Sequence, residues 1–346
     1  MWRPGPAVAL ALLAVLAVPS CSSSDGTGGA ASAPSASSTA PTGPVPTGPV
    51  PTVALKERQI ARFHLAGQPD WLASDGRFLY VREDSGDVVA INPATNRIAW
   101  RVRTASDLCQ GLGVGFGSVW TCSPDPSDDT DDVVRIDPRT HRVVSRLKVA
   151  KSDRQGRLVT GFGRVWVIRT TPAGSTLVGI NPVTERADPP IPLGMLAVEL
   201  TIDRNLVWAV GSVTGEVAGV DPRAAKVVQR VRGLARLGGP SLLTVGDGAL
   251  LWVSGDNATA GIDRQSGRVI VDVAQPTKGD GGMAATATNL WIHSGDPFLT
   301  RIDPATGRPV EQITAPDLPN AGDVLYAFGS LWASASNQAT LVRLRV

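Results

Sequence analysis

Histidines, cysteines and closely spaced acids are the side chains most able to do chemistry, and the 346-residue chain holds only three His and three Cys. His64, His141 and His293 lie far apart in sequence. His141 occupies a turn position and His64 an outer strand, so both are expected in solvent. His293 follows Trp291 on a second strand of a repeat and has no His partner for a metal-assisted base. The segment "PDPSDDTDD" gathers Asp125, Asp128, Asp129, Asp131 and Asp132. Oxygen-rich loops suit calcium, but the spacing is not that of an EF-hand and no Gly makes the sharp turn, so the expectation is a solvated acidic loop. Asn92, Asp137, Asn181, Asp221, Asp263 and Asp303 recur once per repeat. They are too far apart to share an ion and read as turn formers. No cofactor and no metal are expected from these residues.

The cysteines divide by position. Cys21 ends "MWRPGPAVALALLAVLAVPSC", in which twelve apolar residues from Ala7 to Val18 follow a single Arg. That run is too short to span a bilayer, which needs about 20 residues, and has the layout of an export signal. "VPSC" resembles a bacterial lipoprotein cleavage box, which implies a lipid on Cys21 and an anchored protein on the outer surface of a bacterial cell membrane. Residues 21–56 are then a Ser, Gly, Thr and Pro linker with too little apolar area to offset ordering entropy. The remaining pair, Cys109 and Cys122, is expected as a structural disulfide in an exported protein. If Gly115 and Phe116 form a two-residue hairpin turn, Cys109 faces Cys122 across it, within bridging range.

Positioning such residues falls to a repeat. Tyr80, Trp120, Trp166, Trp208, Trp252, Trp291 and Trp332 are spaced by 40, 46, 42, 44, 39 and 41 residues. A Gly-rich turn precedes most of them, as in "GFGSVW", "GFGRVW" and "AFGSLW". An Asx-Pro turn follows, as in "INPATN", "IDPRTH" and "IDPATG", and then an alternating run such as "RVVSRLKV". Each unit reads as four short strands with a buried aromatic on the second. Units of this length cannot bury both faces alone and must stack into a ring. The seventh unit ends after its third strand at "TLVRLRV", while "ERQIARFHLAG", residues 57–67, has the pattern of a fourth strand with no repeat of its own. The expected fold is all-β: a seven-bladed propeller over residues 57–346, closed by its N-terminal strand.

The Gly-x-x-Trp turn and the run "V-x-R-I-D-P-x-T-x-R-V-V" resemble the YVTN-type seven-bladed propellers, the group around YncE, with streptogramin lyase as a relative. The lyase resemblance implies His and Glu residues around Mg²⁺, for which this chain offers one lone His. "AINPATNRIAW" at 90–100 also resembles a pyrroloquinoline-quinone propeller repeat, which has Trp late in the fourth strand. Of the seven units, only the one with Trp100 has it.

With 33 basic and 31 acidic residues the chain is nearly neutral, which gives no electrostatic case for nucleic acid. The Arg-rich fourth strands, at 139–157 and 223–236, read as charged blade edges that resist strand addition. Loops between blades converge at the channel mouth, where register places Asp70, Gln110, Glu199 and Asp323 as ligand-binding candidates. The expectation is a monomeric, lipid-anchored binding module or scaffold for an unknown protein or small molecule, with an enzyme of the lyase or quinoprotein type as the alternative.

Overall fold

Turn chemistry places the strands. A computed structural model describes residues 49–104, 111–125, 130–149, 158–274, 281–320 and 322–346. Each repeat forms a four-stranded antiparallel meander, and there are seven. Blade 1 runs from Pro69–Ser74 to Arg97–Arg103, blade 2 from Leu112–Gly115 to Arg142–Lys148, and blade 3 from Val159–Gly161 to Ile191–Pro192. Blade 4 runs from Ala197–Ile202 to Lys226–Val231, blade 5 from Leu242–Val245 to Val269–Ala274, and blade 6 from Met283–Ala285 to Arg308–Thr314. Blade 7 holds Val324–Ala327, Ser330–Ala335 and Thr340–Leu344, and Gln59–His64 pairs antiparallel with the last of these. First strands of neighbouring blades meet all the way round, including blade 7 against blade 1. The ring closes as the missing fourth strand requires.

Two expectations need correction. The hairpin turn in "GFGSVW" is Phe116-Gly117, not Gly115-Phe116, because Gly115 pairs with Ser118. Phe116 has φ 55° and Gly117 φ 69°, the left-handed pair that a tight hairpin needs. Phe162-Gly163 and Phe328-Gly329 repeat it. The ordered chain also begins before residue 57. Thr52–Ala54 adds a fifth, parallel strand to blade 6 through Thr52↔Gln312 and Ala54↔Thr314. Leu55 then packs into the core between blades 6 and 7. Three β-capable residues and one buried Leu outweigh the proline-rich composition just before them.

The repeated aromatics pack at the contacts between neighbouring blades. Tyr80 and the six tryptophans are at most 3% exposed, and burying rings of this size contributes several kcal/mol each at about 25 cal/mol per Å². Each buried N–H or O–H needs an acceptor, and five of the seven find one five residues earlier. The indoles of Trp120, Trp166 and Trp332 donate to the carbonyls of Gly115, Gly161 and Ala327 at 3.1–3.2 Å. Where the turn is longer, an Asp replaces that carbonyl: Tyr80 donates to Asp75 at 2.7 Å and Trp208 to Asp203 at 2.9 Å.

Fourth strands are kinked alike. A register shift falls between the first and third pairs in blades 1, 2, 4, 5, 6 and 7, leaving Ala99, Val144, Val228, Ile270, Val310 and Ile60 as the extra residue. Such bulges increase local twist and turn an edge away from a flat template. Edge protection therefore comes from geometry as well as from the expected Arg and Lys.

Candidate functional site

The hairpin turns and the inter-blade loops lie on opposite faces of the ring. The sequence placed its candidates on the loop face. Asp70 and Asp323 do come together there, at the seam between blades 7 and 1. The Asp323 carboxylate accepts the N–H of Leu72 and of Val324, each at 2.9 Å, and the residue is 3% exposed. The Ser334 hydroxyl donates to the Asp70 carbonyl at 2.7 Å and receives the Asp323 N–H at 2.9 Å. Asp323 thus stitches the closing seam. Glu199 is buried on the first strand of blade 4, on the far side of the ring. Gln110, Cys109 and Cys21 lie outside the described residues, as do the side chains of residues 124–132. Cys122 is disulfide-bonded. With the corrected turn, the position facing it along the ladder is Gly111, whose carbonyl is 3.9 Å from the sulfur, so the register argument for its partner does not hold.

Other expectations resolve plainly. The Asx residues make turns: Asn92, Asp137, Asn181, Asp221 and Asp303 each accept the N–H two residues on at 2.8–2.9 Å. Such bonds hold the Asp137 and Asp221 carboxyls below their usual range. His64 is exposed, and so is His141, which stacks under Trp100 at 5.2 Å. His293 is fully buried against Phe298, and burial pushes it down to about 3. Among the described residues no group of three or more His, Cys, Asp or Glu could hold a metal ion.

A wide groove lies on the opposite, hairpin face. With a volume of about 880 Å³, it runs from blade 4 across blades 5 and 6 to the edge of blade 7, with Asp203, Arg204, Asp247, Arg264, Gln265 and Tyr326 on its walls. It adjoins a second cavity of about 380 Å³ between blades 5 and 6, sharing Gly246, Ala249 and Thr286 with it. Asp203 is held by four partners. Burial alone would raise its pKa, but the Trp208 indole, the N–H groups of Leu206 and Asn205 and the Arg264 charge at 3.2 Å bring it below its usual value. Asp263 is lowered by the hydroxyl and N–H of Ser266. A general acid or base works best with a pKa near the working pH, and these two groups are tuned away from it.

The sequence reading missed the residue that faces each aromatic on the third strand. Arg135, Arg301 and Arg343 lie over Trp120, Trp291 and Trp332 at 5.4, 5.7 and 4.9 Å. Gly179, Gly219 and Gly261 face Trp166, Trp208 and Trp252. The signal was present as R-I-D in "VVRIDP" and "LTRIDP" against G-[IV]-[ND] in "LVGINP", "VAGVDP" and "TAGIDR".

A family model described as outer membrane protein assembly factor BamB, PQQ_2, matches residues 50–313. The chain belongs to the PQQ_2 family. Of the two resemblances read from the sequence, the one carried by "AINPATNRIAW" is therefore borne out at family level. No curated protein matches the sequence. Among solved structures, this PQQ_2 chain is similar to Kuenenia stuttgartiensis hydrazine synthase, with TM-score 0.66, 14% identity, and 81% of this chain and 96% of that one covered. It is similar also to the Myceliophteria thermophila Cps50 (Swd1) beta-propeller domain, with TM-score 0.69, 13% identity, and 84% and 99% covered. At such identities the likeness is one of fold alone.

The family label raises a quinone cofactor, a flat polyanion. Its carboxylates would require cations and an open aromatic floor. The candidates on the loop face are instead the acids Asp70, Glu199 and Asp323, and the buried Arg82 nearby is bonded to Thr104 at 2.8 Å and to the Cys122 carbonyl. Trp100, the quinone-repeat residue, is occupied by Tyr80 and His141. The described residues do not fit that group.

Proposed function

We propose that this PQQ_2 propeller is a docking scaffold that holds a segment of a partner protein in the hairpin-face groove that runs from blade 4 to the edge of blade 7. The R-I-D-P-x-T repeat supports reading it, within that family, as a YVTN-type propeller. Lipid on Cys21 and the linker after it would present the ring at the outer surface of a bacterial membrane. The groove carries the proposal: it is wide, it mixes charged and small residues, and its Asp203 and Asp263 carboxylates, tied into turns and a pair, are held below their usual range and suit binding better than proton transfer. The family's description as an assembly factor supports a partner protein over a small substrate.

Site-specific photocrosslinking in the native host tests this. A crosslinker replacing Tyr326, which is 41% exposed, or Asp247 should give one discrete adduct band. The same crosslinker at Val183, 86% exposed on a blade 3 turn, should give none. Equal labelling at all three positions, or none at any, overturns the docking site.

A further inference from the structure

Four seams between blades are filled by a cation or a ring placed between the first hairpin of one blade and the Asx turn of the next. From blade 7 to blade 1, Arg343 lies on Trp332, bonds Ser330 Oγ at 3.1 Å, and reaches the Pro93 carbonyl and Asn96 Oδ1, the latter at 2.8 Å. From blade 2 to blade 3, Arg135 repeats the pattern with Ser118 Oγ at 2.9 Å, the Pro182 carbonyl at 3.2 Å and Glu185 at 3.2 Å. Within blade 6, Arg301 donates to Asn289 at 3.3 Å. In all three the position two before the Trp is polar: Ser330, Ser118 and Asn289.

The glycine-type blades compensate in other ways. Arg164 pairs with Asp188 in blade 3 at 2.5 Å. From blade 4 to blade 5, Leu206 replaces the polar residue, but blade 5 sends Arg264 back to Asp203 from the place where other units have Pro. From blade 1 to blade 2, Trp100 and His141 fill the space.

The seam from blade 5 to blade 6 has none of these. Gly261 faces Trp252, Leu250 stands two before it, and the turn ahead reads Asp303-Pro304 with Gly307 at the position that Asn96 and Glu185 hold elsewhere. The consequence is the cavity of about 380 Å³, lined by Leu250, Trp252, Ala287, Thr288, Asp303 and Pro304. Pro304 is the counterpart of Pro93 and Pro182, whose carbonyls hold a guanidinium. Asp303 adds negative charge beside it.

We propose that this cavity is the receptor for a guanidinium group, an arginine side chain carried on a partner polypeptide and inserted where four sister seams supply their own filling. The alkyl stem would lie along Leu250 and the edge of Trp252, and the planar donor fork would meet Pro304 and Asp303. The cavity opens into the larger groove through Gly246, Ala249 and Thr286, so a chain lying in the groove would deliver the side chain. The inference rests on the docking reading for the source of the arginine only.

The test uses the whole chain with indole ¹⁵N labels, the Trp252 resonance being assigned from a Trp252→Phe sample. The tripeptide Gly-Arg-Gly amide should shift Trp252 saturably in the millimolar range, as expected for one contact of a few kcal/mol. The citrulline tripeptide, neutral and of the same shape, should bind at least about tenfold more weakly, and free arginine should match the arginine tripeptide if the guanidinium alone is read. Ala305→Trp, a change at an exposed turn residue, should plug the cavity and abolish the shift. Gly261→Arg should do so from within and raise the melting temperature, although its Cβ would meet Trp252 at 2.9 Å; Ala305→Trp keeps the test independent of that strain. An unmoved Trp252, or equal citrulline binding, overturns the site. Crosslinking that fails while the tripeptide binds overturns docking alone. Crosslinking that succeeds while Trp252 stays unmoved overturns the guanidinium site alone.

Discussion

Replacing Arg343 by Met removes a guanidinium from the closing seam while keeping most of the alkyl stem over Trp332. The guanidinium donates across the seam to the Pro93 carbonyl and Asn96, within its own blade to Ser330, and rests on an indole at 4.9 Å. A hydrogen bond from a charged donor contributes about 1.5 to 3 kcal/mol, and a partly desolvated cation over Trp about 0.5 to 2 kcal/mol. The acceptors sit on half-exposed turns, where water replaces part of the loss, so the sum contracts to about 2 to 4 kcal/mol. For a domain of this size each kcal/mol lowers the melting temperature by about 2 °C, giving a fall of about 4 to 8 °C. Urea unfolding followed by circular dichroism reads the free energy directly. Arg97→Met, on the exposed rim of blade 1, should stay within about 0.5 kcal/mol of the parent. A cycle with Asn96→Ala should show a coupling of about 1 kcal/mol or more. If Arg343→Met and Arg97→Met unfold at the same urea concentration, arginine filling of the seams is not what holds the ring together, and the inference drawn from the seam between blades 5 and 6 fails with it.

Phe63→Ala, which removes a ring stacked on Trp332 at 6.0 Å from the closing strand, should cost about 3 to 4 kcal/mol in urea unfolding, while Ile60→Ala on the same strand's exposed bulge should cost under about 1 kcal/mol. His293 is buried neutral with a pKa near 3, below its unfolded value of about 6.5. The unfolded chain therefore takes up its proton first as pH falls, and stability should drop between about pH 6.5 and 3 by up to about 1.4 kcal/mol per pH unit. His293→Gln should flatten that limb, and an unchanged slope would assign it to other groups. Cys21→Ala should abolish metabolic labelling with radioactive palmitate and release the protein from membranes; retained label would remove the anchor from the proposed function.

The architecture was legible because it depends on features that recur. A Gly-rich turn, an aromatic, an Asx turn and an alternating run each mean little alone, and repeated at about 40 residues they leave a ring as the arrangement that buries every unit. Even the strand order at the closure could be read, because a seventh unit lacking its last strand and an orphan strand ahead of the first must meet. Register was less secure. The choice between Gly115-Phe116 and Phe116-Gly117 turns on which residues take positive φ, and a bulky Phe in that region, held there in three hairpins, runs against the steric expectation.

The site was less legible for a different reason. Repetition shows what every blade needs, whereas a binding site is made where one blade differs from its sisters. Asp70, Gln110, Glu199 and Asp323 were chosen by register as polar residues at the channel mouth, and Asp323 bonds across the closing seam. The departures that open space are smaller and look like conservative core changes: Gly261 for Arg, Leu250 for Ser, Gly307 for Asn or Glu. Each deletes a polar group from a seam instead of adding one, so a search for reactive side chains passes over them. Only the three-dimensional pairing of Trp252 with Gly261, set beside Trp332 with Arg343, turns those absences into a cavity of definite chemistry.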